Sequence, residues 1–243
     1  MSKKNDYDII IIGSGIGALT LASFMSKVNR KKVLILERHF QIGGYTHTFR
    51  RKKYKWDTGL HHVGRVFGGL PPELLFNFIT NKKLKWRRIS EPFERLVYPD
   101  LTFNVFGNEN TFKKDLIKQF PDDKKALRKY FKDVKTVSRW FTLYYLTRFV
   151  PPFLRIPLQI MSTISQKKSL QTTSSYLNRY ISNPKLRAIL TSQWGNYGLP
   201  PSKSAFVMHA IVVNHFITGG YYPKGGPEEI AKSIMPNIEK HGG

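Results

Sequence analysis

Glycines near the start of the chain have the spacing of a phosphate-binding loop. Gly13, Gly15 and Ala18 follow the order Gly-x-Gly-x-x-Gly/Ala, between an apolar run and a helical pattern. The first glycine allows a tight turn, the second lets the backbone approach a pyrophosphate, and Ala18 allows the helix to pack closely on the strand. The free N–H groups and the positive end of the helix then favour an anion. The loop therefore predicts a dinucleotide site.

An acidic residue stands where a ligand for the ribose is expected. Glu37 ends a second apolar run about 20 residues after the loop, where a carboxylate can accept hydrogen bonds from ribose hydroxyls. A carboxylate disfavours a 2′-phosphate, so the pattern favours NAD or FAD over NADP.

The elements around the loop form a strand, a helix and a second strand. Residues 8–12 and 33–36 are short apolar runs typical of buried parallel strands, and residues 16–28 have apolar residues at helical spacing. This is a βαβ unit with the usual right-handed crossover. We therefore predict an α/β fold with a Rossmann-like βαβ domain.

Four later blocks resemble one superfamily. Residues 37–47 (Glu-Arg-His-Phe-Gln-Ile-Gly-Gly-Tyr-Thr-His) resemble the acid-to-double-glycine segment of the FAD-binding amine-oxidase and carotenoid-desaturase superfamily. Residues 56–64 (Trp-Asp-Thr-Gly-Leu-His-His-Val-Gly) look like the segment that passes beside its flavin ring. The residues of both blocks are similar to the corresponding segments of the retinol-saturase and carotenoid-isomerase branch. The same holds for residues 194–201 and 219–226.

The resemblance implies FAD as the cofactor and assigns it a set of residues. The expected FAD-binding residues are Gly13, Ser14, Gly15, Ile16, Gly17, Ala18, Glu37, Arg38, Gly43, Gly44, Thr46, His47, Thr58, Gly59 and His61. The catalytic residues stay unassigned, with two candidates. His61 would lie beside the flavin, either passing a proton or serving as a structural histidine, and Tyr221 would face the substrate or pack. We expect no metal, since His209 and His215 are six residues apart and lie on different helix faces.

The implied reaction is reduction, desaturation or isomerisation of C=C bonds in a retinoid- or carotenoid-like polyene lipid. Hydride would pass through flavin N5, with an electron donor or acceptor that the sequence does not identify. Two alternatives stay open: an amine-oxidase-like flavoenzyme acting on a C–N bond, and a non-catalytic, basic, membrane-binding remnant of the fold. Tyr45 stands where many desaturases have Arg. Family members are about twice as long, so the chain is expected to be their N-terminal half, ending within the fold.

The charge of the chain predicts an anionic partner surface. Lys and Arg number 40 against 16 Asp and Glu, a formal charge of +24, and there is no cysteine. The absence of cysteine excludes disulfides, thiolate nucleophiles and iron–sulfur clusters. No nucleic-acid motif is present, whereas residues 140–164 combine bulky apolar side chains with arginines. We expect peripheral (monotopic) attachment to the cytoplasmic face of a membrane, or otherwise a cytoplasmic protein.

Three parts are predicted along the chain. Residues 1–80 form the FAD-binding βαβ part, 81–193 a helical, basic, substrate- and membrane-facing part, and 194–243 a return segment to the FAD-binding part. Helices are expected at 122–139, at 170–191 with a break at Asn183-Pro184, and at 228–243. Two uncharged windows, 9–26 and 204–223, carry glycines or polar residues and are predicted to be buried segments rather than membrane spans.

Overall fold

The computed structural model describes residues 6–243, so residues 1–5 of the predicted FAD-binding part lie outside it. The elements in chain order are β1 (Ile9–Ile12), α1 (Ile16–Lys27), β2 (Val33–Leu36), β3 (Thr48–Arg51), β4 (Tyr54–Asp57), α2 (Pro71–Ile79), β5 (Trp86–Arg88), β6 (Glu94–Tyr98), β7 (Leu101–Val105), α3 (Glu109–Gln119), α4 (Lys124–Leu146), α5 (Pro152–Leu170), α6 (Thr173–Tyr180), α7 (Pro184–Thr191), α8 (Phe206–Phe216), β8 (Tyr221–Pro223) and α9 (Glu228–Glu239).

The chain divides into two units. The nucleotide-binding unit consists of the described residues up to Ile89 together with Gly220–Gly243, and the helical unit consists of Ser90–Gly219. These boundaries differ from those expected at 80/81 and 193/194. The difference arises because β5 pairs antiparallel with β8 inside the nucleotide-binding unit, while α8 packs on α4 inside the helical unit.

The nucleotide-binding unit is built on the predicted βαβ motif. β1 and β2 pair in parallel, in register from Ile9 with Val33 to Ile12 with Leu36. One face of this pair packs with α1 and α9 around a core that includes Leu19, Ile230 and Ile234, each fully buried. α1 confirms the helix predicted at 16–28 to within one residue. The Rossmann-like fold class is thus confirmed.

The helical unit has its core between α4 and α8. Leu127, Val134 and Val137 of α4 and Phe206 and Ala210 of α8 are all fully buried. The helix predicted at 122–139 runs on to Leu146, and the predicted break at Asn183-Pro184 is confirmed, because Asn183 caps α7 and Pro184 begins it.

The part predicted to be mostly helical is so, with α3 to α7, and it also contains an antiparallel hairpin, β6 with β7, closed by the two-residue turn Pro99-Asp100. One prediction for the end of the chain needs correction. The last helix ends at Glu239 rather than continuing to 243. The uncharged windows fold as β1 with α1 and as α8 with β8, and within residues 6–243 no helix combines the length and hydropathy that a membrane crossing requires.

Candidate functional site

The glycine loop leads directly from β1 into α1. Gly13 has φ +92°, a conformation that requires glycine, and its N–H donates to the carbonyl of Leu36 at 2.7 Å. α1 then begins behind Gly15 with no side-chain cap and with no acidic residue in its first turn. The N–H groups and the positive dipole end of α1 are therefore left for an anionic ligand.

Gly15 indicates that this loop is shaped to bind a ligand, because no contact within the chain requires glycine there. Its backbone (φ −63°, ψ 166°) is one that any residue adopts. A methyl group placed on Gly15 or Gly17 would meet no atom within 4 Å. Neither backbone strain nor crowding explains glycine there, whereas close approach of a pyrophosphate does. The residues present thus fit a dinucleotide.

Ser14 joins the loop to Glu37. The N–H and hydroxyl of Ser14 donate to one carboxylate oxygen of Glu37, at 2.8 and 2.5 Å, and the N–H of His39 donates to the other at 2.8 Å. The Ser14 hydroxyl bond and these backbone bonds lower the pKa of Glu37 to about 2. Glu37 is therefore held as a charged acceptor at the end of β2, as its predicted role requires.

The double glycine lies against the first loop. Gly15 and Gly43 form a β-bridge, and the N–H of Gly43 donates to the Ser14 hydroxyl at 3.1 Å. A methyl group on Gly44 (φ +54°) would come within 3.0 Å of the Gly15 Cα atom. Two predicted cofactor segments, distant in sequence, are thus in contact.

Two further predicted residues use their polar groups within this turn. The Thr46 hydroxyl donates to the carbonyl of Gly43 at 2.8 Å, and a ring nitrogen of His47 lies 2.5 Å from the carbonyl of Gly44. Thr46 is buried, and Arg38 is exposed. Thr46 and His47 therefore shape the double-glycine turn, a positioning role that the sequence does not distinguish from direct cofactor contact.

The segment expected beside the flavin contains an unsatisfied hydroxyl. The Oγ1 atom of Thr58 is buried and has no hydrogen-bond partner among the described residues, although buried polar groups are normally paired. Next to it, Gly59 packs on Tyr45: a methyl group on Gly59 would lie 2.9 Å from the Tyr45 Cβ atom. A ligand that accepts or donates a hydrogen bond at Thr58 would satisfy this group.

A backbone bridge between Val63 and Tyr221 joins the two segments that contain the catalytic candidates. Val63 exchanges backbone hydrogen bonds with Tyr221, at 2.8 and 2.9 Å, which places β8 beside the segment that contains His61. His61 is exposed, and the ring of Tyr221 stacks on Phe67 with centroids 6.4 Å apart. Burial, and then the neighbouring His61, lower the pKa of His62. Within residues 6–243, no group of three His, Asp or Glu side chains could hold a metal ion.

A polar cleft next to β8 contains residues to which sequence reasoning gave no role. Tyr222 donates to both carboxylate oxygens of Asp57, at 2.9 and 2.8 Å. The Lys55 ammonium lies 3.3 Å from a Glu228 oxygen, and Arg87 also lines this open cleft of about 440 Å³. The signal available in the sequence was the position of Asp57 directly before the Thr58-Gly59 segment.

The helical unit contains a small cavity beneath the β6–β7 hairpin. A cavity lined by Phe93, Tyr130 and Phe216 among others has a volume of about 30 Å³, the size of one water molecule. Glu94 also lines it, and burial raises the pKa of that carboxyl despite a hydrogen bond from Gln193. This cavity is too small for a polyene.

Comparison with known proteins agrees with this geometry. A family model for an NAD(P)-binding Rossmann-like domain matches residues 11–68. All-trans-retinol 13,14-reductase of Homo sapiens is 34% identical over 97% of this chain, and an inactive all-trans-retinol 13,14-reductase of Danio rerio is 32% identical over 98%. Prolycopene isomerase 1 of an Oncidium hybrid cultivar is 25% identical over the whole chain.

These matches fit the amine-oxidase and carotenoid-desaturase superfamily that the sequence motifs resemble. The chain spans about 40% of the length of the curated relatives that it matches. Solved structures show the same fold: a putrescine oxidase variant superposes with a TM-score of 0.63 at 12% identity, and a Pyrococcus furiosus protein with 0.60 at 14%. Each covers 97% of this chain, which covers 50% of each. The likeness in fold thus covers residues of both units, beyond the βαβ motif.

Proposed function

We propose that this chain belongs to an FAD-dependent oxidoreductase that acts on C=C bonds of a retinoid- or carotenoid-like polyene lipid. The cofactor part rests on one observation at Gly15. Neither its backbone conformation nor its surroundings require glycine, whereas close approach of a ligand does. The substrate part is supported by relatives named for retinol and prolycopene.

Different residues of the chain would bind different parts of FAD. The N–H groups at the start of α1 would hold the pyrophosphate, and Glu37 would accept from the ribose hydroxyls. The Gly43-Gly44 turn would close over the loop, and Thr58 and Gly59 would lie along the ring system. When bound, FAD supplies a two-electron centre that accepts or donates hydride at N5. The protein orients the polyene and excludes water.

A polyene substrate also favours work at a membrane. Such lipids dissolve in bilayers, and the +24 charge of the chain suits an anionic surface. We therefore propose peripheral attachment to the cytoplasmic face of a membrane as part of this function.

The first experiment is to purify the full chain, add FAD and record its visible absorbance after gel filtration. The expected result is a stoichiometric flavin spectrum that NADP⁺ does not displace. Absence of bound flavin at saturating FAD would overturn the enzyme proposal for this chain and favour a non-catalytic remnant, a role with precedent in the relative named inactive.

The second experiment separates the two enzyme classes. The FAD-loaded chain is reduced anaerobically and mixed with all-trans-retinol or a cis-carotenoid, and the polyene is analysed by chromatography. A changed number or geometry of its double bonds supports the proposal. If instead a diamine such as putrescine reduces the oxidised flavin and no polyene reacts, the chain is an amine-oxidase-like enzyme.

A further inference from the structure

The first half of α5 has almost no core to pack against. All of residues 152–157 are exposed, although five of these six are Pro, Phe, Leu or Ile. Phe153 is 75% exposed, Ile156 66% and, one turn later, Ile160 63%. An amphipathic helix normally buries its apolar side chains against a neighbouring element. Here no neighbouring element in the described chain covers them.

The end of α4 continues this apolar surface. Tyr144, Tyr145 and Leu146 are 40%, 51% and 49% exposed, and Phe149 in the connection to α5 is 80% exposed. We call residues 144–160 the apolar elbow. An open groove of about 460 Å³, lined by Trp140, Leu143 and Leu146 among others, extends the surface between α4 and α5. A contiguous apolar surface of this kind marks an interaction site.

The second half of α5 is held against the core of the helical unit, and the apolar elbow continues from this fixed half. Lys168 pairs with the buried carboxylate of Asp133 on α4 at 2.8 Å, and Asp133 also accepts from Lys129 and from the Tyr176 hydroxyl. Ser169 is fully buried. α5 thus has one anchored half and one half that lacks a partner.

The charge around the elbow is of one sign. Between Asp133 and Glu228 the chain has eleven Lys and Arg and neither Asp nor Glu. Arg148 and Arg155 lie within the elbow itself; Arg148 donates to the Tyr144 hydroxyl at 3.0 Å, and Arg155 to the carbonyl of Val150 at 3.3 Å. The surface offered to a partner is therefore apolar and cationic.

We propose that the apolar elbow is an interfacial anchor that inserts into the headgroup region of an anionic lipid bilayer. Phe and Leu side chains with Lys and Arg alongside are typical of helices that lie in a membrane interface. Tyrosines belong at the same depth, because the ring is apolar and the hydroxyl stays hydrated. The anchor specifies the membrane attachment of the proposed function, yet it needs no flavin.

The test is sedimentation of the purified full chain with vesicles of phosphatidylcholine alone or mixed with phosphatidylserine. Binding is expected only with phosphatidylserine and weaker in high salt. Phe149→Ser with Phe153→Ser should lower the partition coefficient at least about tenfold. Phe67→Ser, a change of the same residue type at a 69% exposed position in the nucleotide-binding unit, should leave it unchanged.

Two double variants that remove the same charge test the electrostatic contribution to vesicle binding. Arg148→Gln with Arg155→Gln should weaken binding about fivefold per arginine. Lys114→Gln with Lys118→Gln removes the same charge from the exposed side of α3 in the same unit and should have a clearly smaller effect. Equal losses from both pairs would show unspecific adsorption and would overturn the proposal.

Because the chain has no cysteine, one label can report insertion directly. Phe149→Cys carrying an environment-sensitive fluorophore should shift to the blue on anionic vesicles, whereas Val97→Cys, 71% exposed on the β6–β7 hairpin, should not. Self-association abolished by Phe149→Ser, without vesicle binding, would overturn the proposal in favour of a contact between two copies. Vesicle binding measured without FAD keeps its outcome separate from that of the flavin experiment.

Discussion

The hydroxyl of Tyr222 donates to both carboxylate oxygens of Asp57, at 2.9 and 2.8 Å, and so joins β8 to the last residue of β4. Thr58, with its unsatisfied buried hydroxyl, is the next residue. The segment predicted to lie beside the flavin is therefore positioned by a strand that the chain reaches only after the whole helical unit. We infer that Tyr222 acts through Asp57 as a positioning residue.

Tyr222→Phe tests this relationship. The variant loses a hydrogen bond to a carboxylate in a partly exposed site, so the free energy of unfolding should fall by about 1 kcal/mol. FAD affinity should fall as well if the bond fixes Thr58. Urea unfolding and FAD titration measure the two effects, and Tyr221→Phe provides a neighbouring control. Unchanged stability together with unchanged affinity would contradict the positioning role.

The same bond predicts a loss of stability at alkaline pH. Burial, and then the bond to Asp57, raise the pKa of Tyr222 from 10 to about 12. Between these values the unfolded chain has lost the proton and the folded chain keeps it. The stabilisation is therefore complete below pH 10 and disappears as the pH rises through 12. The difference in unfolding midpoint between the native chain and Tyr222→Phe should narrow over this range.

Two glycine variants separate binding from folding. Gly15→Ala places a methyl group in open space in an allowed backbone conformation, so thermal stability should be unchanged while FAD affinity falls at least about tenfold. Gly44→Ala forces a methyl group to within 3.0 Å of Gly15 in a left-handed conformation, so stability should fall too. Melting curves with and without FAD measure both. Full FAD affinity in Gly15→Ala would contradict the pyrophosphate site.

The local parts of this site are readable from the sequence, and the long-range parts are not. The βαβ unit follows from apolar periodicity and from Gly13 and Gly15 because each of these signals acts within a few residues. The bond from Tyr222 to Asp57 joins residues 165 positions apart, and nothing in local patterning indicates it. The β6–β7 hairpin was missed for a related reason: its two strands are only five residues each and lie between lysine-rich segments, the second of which forms helices.

The double-glycine segment shows a second limit of prediction from sequence, which concerns the roles of motif residues. The resemblance marks Thr46 and His47 as cofactor residues, but it does not show that their polar atoms bond to the carbonyls of Gly43 and Gly44. A motif reports which residues a site needs and leaves open whether each one touches the ligand or shapes the turn.

Glu37 should make the nucleotide-binding unit sensitive to acid. Its pKa lies at about 2 in the folded chain against an ordinary value of 4.5, chiefly because of the Ser14 hydroxyl. A lowered pKa stabilises the fold at pH values above 4.5, and this contribution is lost as the pH falls through about 2. Glu37→Gln removes this dependence, and urea midpoints measured between these pH values should show a smaller slope. Ser14→Ala should reduce the slope in the same direction, and an unchanged slope in both would contradict the assignment.

His209 predicts a second acid transition, in the helical unit. Its Nε2 atom lies 2.7 Å from the Tyr130 hydroxyl, both residues are buried, and burial lowers the pKa of His209 from 6.5 to about 3. Burial also raises the pKa of Tyr130, so the hydrogen bond joins a protonated phenol and a neutral imidazole. Below pH 6.5 the unfolded chain gains a proton that the folded chain does not, so stability declines from pH 6.5 towards 3. His209→Gln keeps a hydrogen-bonding group for Tyr130 without this titration and should flatten the decline, whereas the exposed His61→Gln should not. Equal pH profiles for the two variants would show that His209 does not control the transition.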